Sequence, residues 1–91
     1  MASNVKHFYM YVLRCGDGSF YGGYTTNLKH RIEQHQSGRG AKYTKSHQPV
    51  ELIYNEEFNT KSEALKAEYA FKHQSRSAKE QYLKKHNVSL N

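Results

Sequence analysis

The chain has 91 residues, 36% hydrophobic and 13% aromatic, which is enough for one small domain built around one core. Its formal net charge of +6 favours polyanionic partners, nucleic acid or an anionic surface. One cysteine, Cys15, excludes an internal disulfide and fits a reducing compartment. The longest apolar run, Phe8 to Leu13, is too short to cross a bilayer, and MASNVK is followed by no apolar segment of signal-peptide length. The expected setting is cytoplasmic.

Residues 1 to 6 read as a loose tail. Two runs rich in aromatic and β-branched residues, about His7 to Arg14 and Ser19 to Tyr24, flank Cys15-Gly16-Asp17-Gly18, a turn signal. A three-residue loop, Gly16-Asp17-Gly18, makes a hairpin in which Cys15 faces Ser19, Tyr11 lies opposite Gly23, and Tyr21 opposite Leu13. Side chains alternate along a strand, so Tyr11 and Tyr21 then share one face; an even-numbered loop would separate them. Gly23 leaves space beside Tyr11 for a ring or a ligand.

The next stretch, TTNLKHRIEQHQSG, predicts a helix capped by Thr26 or Asn27, striped by Leu28 and Ile32, and closed at Gly38. Arg31 and His35, four apart, project from one side of it. Gln36 to Pro49 reads as a polar loop, with Arg39, Lys42 and Lys45 interleaved with Tyr43. A third strand runs from about Val50 to Glu57 or Phe58, with Val50, Leu52 and Tyr54 on one face and Ile53 out of register. Capping boxes in TKSE (Thr60 to Glu63) and SAKE (Ser77 to Glu80) open two more helices. Ala64, Leu65, Ala67, Tyr69 and Phe71 supply the apolar positions of the first; the second extends to about His86. No linker or repeat divides the chain. The expectation is one domain over residues 1–91, with a core of about 7–74 and a terminal helix of about 77–86. Its class is α+β: a three-stranded, mainly antiparallel sheet flanked by helices.

Several residues invite chemistry. Glu68 lies four after Ala64 and three before Phe71, on the apolar face of its helix. A carboxylate there needs a cation, a metal or a proton; the plain alternative is an edge position paired with Lys72. Arg31 suits a phosphate clamp or, equally, a solvated helix surface. Tyr11 and Tyr21 are either reactive phenols or a cross-strand aromatic pair. The segment Arg39, Lys42, Tyr43, Lys45 offers charge and a stacking ring to a nucleic-acid backbone, or is a solvated loop. His7, His30, His47, His73 and His86 show no zinc-ligand spacing.

Taken together these residues resemble the GIY-YIG nuclease family. The first tyrosine motif is Tyr9-Met10-Tyr11 and the second Tyr21-Gly22-Gly23. The steps of ten from Tyr11 to Tyr21 and ten to Arg31 fit, as does Glu68 in ALKAEYAFKH. The resemblance spans roughly Phe8 to Gln74. It is closest to small stand-alone bacterial members, whose GAKYT segment recurs at Gly40 to Thr44, and extends to SLX-type and UvrC amino-terminal nuclease domains. Tyr9, Met10 and Gly22 depart from the family's usual glycine, isoleucine and isoleucine.

The resemblance implies a metal-dependent endonuclease that hydrolyses phosphodiester bonds in DNA, with repair or recombination as the setting. Glu68 would hold one Mg²⁺ or Mn²⁺, and a hard carboxylate suits either. Arg31 would hold the phosphate, Tyr11 would activate water, Tyr21 would position the water or the phosphate, and His35 would contact phosphate or receive the proton. The competing readings are a module that grips DNA or RNA without cutting, and an accessory protein whose last helix, with Tyr82, Leu83 and Leu90, docks on a protein partner.

Overall fold

The computed structural model describes residues 7–90; the expected amino-terminal tail lies outside them. In chain order the elements are β1 (Phe8–Arg14), β2 (Phe20–Thr25), α1 (Leu28–Gln36), α2 (Lys42–Ser46), β3 (Glu51–Phe58), α3 (Lys61–Lys72) and α4 (Arg76–Lys85). The sheet order is β2-β1-β3, with both pairings antiparallel. The expected α+β architecture is the one observed.

The hairpin closes as its sequence dictates. Gly18 takes φ +86°, a left-handed conformation open to glycine. Cys15 N donates to Ser19 O at 2.9 Å and Gly18 N donates to Cys15 O at 2.9 Å. That fixes the register with Tyr11 opposite Gly23 and Leu13 opposite Tyr21.

Alternation along β1 feeds two cores. Tyr11, Leu13 and Cys15 pack with Ile32 and Val50 on the face covered by α1. Met10 and Val12 pack with Phe71 and Leu83 on the face covered by α3 and α4. Strand β3 departs from the expected pattern. A register shift sets Val12 opposite Tyr54 but Leu13 opposite Leu52, so Ile53 is an extra residue. This bulge carries Tyr54 away from Val50 and Leu52 and into the Phe71 core, beside Ile53.

Local signals set most helix ends. Asn27 Oδ1 accepts from His30 N at 3.2 Å, and Thr60 Oγ1 from Glu63 N at 3.1 Å. The last helix starts earlier than SAKE implies, because Ser75, not Ser77, accepts from Ala78 N. Lys42–Ser46, expected in a loop, forms the short helix α2. On α3, Ala64 and Phe71 are buried and Ala67 partly so, but Leu65 and Tyr69 are 38% and 63% exposed. The sheet takes the stripe 64, 67, 71; Leu65 and Tyr69 lie one position round the helix from it. Leu83 is wholly buried, and Tyr82 and Leu90 pack against its core. Leu83 is thus part of the core, while Tyr82 and Leu90 are only partly buried. No helix of the described residues is long and apolar enough to cross a membrane.

Candidate active site

The inward face of the hairpin and the buried end of α1 meet at His35. Tyr11, His35 and Thr44 are 1%, 0% and 0% exposed, so their polar atoms must satisfy one another. Tyr11 Oη lies 2.7 Å from His35 Nε2, and His35 Nδ1 lies 2.8 Å from Thr44 Oγ1. The Tyr11 and Tyr21 rings stand 5.6 and 5.4 Å from the imidazole, centre to centre. The two phenols do converge, with His35 between them. The space left by Gly23, expected to receive a ring or a ligand, is filled by Tyr11 itself; a Cβ there would collide with Tyr11 Cζ and Oη.

Charge surrounds this group. Burial pushes the Tyr11 phenol up to about 12; Tyr21 and Glu68 act in the same direction, and the Arg31 guanidinium opposes. Burial first, and Arg31 second, hold the His35 imidazole down at about 4. Both groups are neutral near pH 7. Arg31 is half-buried, and its Nη1 donates to Gln34 Oε1 at 3.0 Å.

Glu68 realises part of both of its alternatives. Its side chain is 20% exposed, and Oε2 accepts from Lys72 Nζ at 3.3 Å. Lys72 Nζ also stands 5.7 Å over the Tyr21 ring, which ties α3 to the tyrosine face across the edge strand β2. Among the described residues, no three His, Cys, Asp or Glu side chains cluster to hold a metal. A single partly exposed carboxylate still fits a hard divalent ion whose remaining ligands are water and phosphate oxygens.

Of the expected nucleic-acid contacts, Tyr43 joins the site. Its ring stacks on Tyr21 at 6.0 Å and on His47 at 4.0 Å, and its hydroxyl donates to Ser19 Oγ at 2.6 Å. Lys42 and Lys45 are exposed on α2, and Arg39 is exposed just before it. Lys72, expected only as the partner of Glu68, and Lys79, which sequence reasoning did not single out, line a cavity of about 350 Å³ with Phe20, Tyr21, Gly22 and Tyr43. A larger depression of about 610 Å³, around Leu65 and Tyr69, contains none of the site residues. Thr44 was also missed. It stood within GAKYT, but only its burial against His35 gives the hydroxyl a task.

A basic α+β domain that gathers two phenols, an imidazole, a guanidinium and a carboxylate around its first hairpin has the architecture of a small nuclease catalytic domain. The chain belongs to the GIY-YIG family: the GIY-YIG catalytic domain matches residues 7–83. It is 56% identical over 88 residues to a UPF0213 protein of Lactiplantibacillus plantarum, covering 94% of this chain and 87% of that one. A UPF0213 protein of Enterococcus faecalis is 58% identical over 83 residues, with coverage of 89% and 94%. The solution NMR structure of the protein EF2693 from E. faecalis superposes with TM-score 0.63 at 55% identity, covering 94% of this chain and 92% of that one. The UPF0213 protein BH0048 from Bacillus halodurans gives TM-score 0.59 at 47% identity, with coverage of 86% and 83%.

Proposed function

We propose that this chain is a metal-dependent endonuclease that hydrolyses phosphodiester bonds in DNA, in the cytoplasm, in the service of repair or recombination. The observation that carries the reading is the Tyr11–His35 hydrogen bond at 2.7 Å. A phenol held up at about 12 is a poor base alone. With an imidazole on its oxygen it need not exist as a free phenolate: as Tyr11 takes a proton from the attacking water, its own proton passes to His35 Nε2, an imidazole that burial makes a weak acceptor until the negative charge of the phosphate arrives beside it. Arg31 binds the scissile phosphate and faces the negative charge that grows on it. Tyr21, stacked on Tyr43, fixes the direction of approach. Glu68 would hold the Mg²⁺ or Mn²⁺. Such an ion, when bound, would supply positive charge for the phosphate and the leaving oxygen, with Glu68 as its protein ligand.

The test is cleavage of labelled single-stranded, duplex and branched DNA, and of RNA, in Mg²⁺ and in Mn²⁺. Metal-dependent cleavage lost in Glu68→Ala and Arg31→Ala supports the reading. Salt-sensitive binding with no cleavage on any substrate rejects it.

The binding-only alternative has one observation in its favour, the Lys72 ammonium seated on Glu68. Lys72→Met separates the two. For an enzyme, Mn²⁺ broadening of NMR signals around Glu68 should appear at lower metal concentration in the variant. For a binding module, the signals stay unbroadened in both proteins.

A further inference from the structure

Among the described residues no hydrogen bond joins Thr44 to Arg31 or Glu68, yet its hydroxyl closes a hydrogen-bond chain that begins at the proposed base. Thr44 Oγ1 donates to Ala41 O at 2.9 Å. A hydroxyl has one hydrogen, so toward His35 Nδ1, 2.8 Å away, it then offers only lone pairs. With the hydroxyl hydrogen on Ala41 O, which also accepts from Lys45 N at 3.0 Å, Nδ1 carries the imidazole hydrogen and Nε2 is left as an acceptor for the Tyr11 hydroxyl at 2.7 Å. The chain runs Tyr11 O–H to Nε2, Nδ1–H to Thr44, and Thr44 O–H to Ala41 O, and every hydrogen has an acceptor. The reverse direction is the costlier one at its far end. If Nε2 carried the hydrogen and donated to Tyr11, the buried phenol O–H would have no acceptor among the described residues, at the cost of a buried unsatisfied donor.

The surroundings keep this arrangement from rotating. Gln48 Nε2 donates to His35 O at 2.6 Å and to Thr44 O at 2.8 Å, pinning the end of α1 to α2. Gly40 lies against the imidazole so closely that a Cβ would collide with Nδ1 and stand 2.9 Å from His35 Cα. Tyr11 and Tyr21 wall the other sides.

We propose that Thr44 is a positioning residue. It holds His35 in the Nδ1–H tautomer, so that Nε2 stays open to the proton leaving Tyr11. The catalytic consequence rests on the nuclease reading; the tautomer is a property of the free protein and does not. Transfer in this direction moves one proton from water to Tyr11 and one from Tyr11 to Nε2. The imidazolium so formed keeps its Nδ1–H on Thr44 until the proton leaves again through Tyr11.

The experiment is long-range ¹H–¹⁵N correlation NMR of the ¹⁵N-histidine-labelled protein at pH 7, with wild type, Thr44→Val and Thr44→Ser. The expected result is a protonated Nδ1 and a bare Nε2 for His35 in wild type and Thr44→Ser, and loss of that single tautomer in Thr44→Val. In parallel, Thr44→Val should lower kcat by roughly 10²-fold or more with little change in KM, and Thr44→Ser should restore most of it. An Nε2–H tautomer in wild type overturns the proposal even if Thr44→Val does not fold. So does an unchanged tautomer in a folded Thr44→Val. If the tautomers behave as expected but no nucleic acid is cut by wild type, the nuclease reading fails and the positioning stands.

Discussion

Tyr11 and His35, 24 residues apart in the chain, share a hydrogen bond of 2.7 Å in the buried centre of the domain. One comes from the middle strand and the other from the last turn of α1. If the two act as a unit in proton transfer, their effects on rate should not add. Tyr11→Phe and His35→Ala should each lower kcat by about 10²-fold or more, and the double variant should fall little further. Steady-state kinetics on one DNA substrate checks this; multiplicative losses would assign the residues separate tasks. Tyr11→Phe should stay folded, losing on the order of 1 kcal/mol through the orphaned Nε2, as read from urea unfolding.

Stability should depend on pH through His35. Its ordinary value of 6.5 is held down to about 4 in the folded protein. The unfolded chain therefore takes up a proton first as pH falls, and the contribution present above about 6.5 is lost on the way to about 4. The slope is about 1.4 kcal/mol per pH unit within that window, and flat below it. Urea unfolding at pH 7, 5.5 and 4 measures this, and His35→Gln should flatten the curve. Asp17, whose carboxyl is held below its ordinary 3.8 by hydrogen bonds from Ser19, adds acid sensitivity only below that window.

Gly23→Ala tests the close approach of the hairpin backbone to Tyr11. The new methyl has no room beside the phenol, so the ring must leave His35. The expected cost is about 1–3 kcal/mol of stability, with cleavage reduced as far as in Tyr11→Phe. A near-wild-type rate in the variant would mean that the phenol does not need its present place.

The lysine-lined cavity should show itself in salt dependence. Lys79→Ala should lower the slope of log affinity against log salt by about 1, with little preference for sequence. Tyr43→Ala removes an exposed ring from the same cavity and should weaken binding by about 1–3 kcal/mol if a base stacks on it. Titrations at several salt concentrations decide both; an unchanged slope in Lys79→Ala would place the nucleic acid elsewhere.

The hairpin was legible because its determinants are local. An odd loop and a glycine at the left-handed position set which residues of β1 and β2 share a face. The partly buried place of Glu68 was legible because helix spacing puts it beside Ala64 and Phe71, but spacing left a metal and Lys72 as equal partners for it. The centrality of His35 was not legible, since it depends on Thr44, Gly40 and Gln48, which approach only after α1 and α2 fold back on each other. The bulge at Ile53 was visible only as a broken alternation, because pairing with β1 decides where the extra residue goes. Leu65 and Tyr69 misled for a different reason. A helix with apolar residues at 64, 65, 67, 69 and 71 cannot face them all one way, and the sheet chose the stripe that also carries Glu68.

Strand β1 is hydrogen-bonded on both sides and supplies residues to both cores. It should be the last part of the backbone to exchange its amide protons, and Tyr11 rides on it. Thr44 belongs to a helix of five residues, tied down by Gln48, by His35 and by the Tyr43–Ser19 contact. Fraying of that short helix therefore costs far less than unfolding the sheet. Heat or mild denaturant should switch off the proton path while the phenol stays in place, so that inactivation precedes melting.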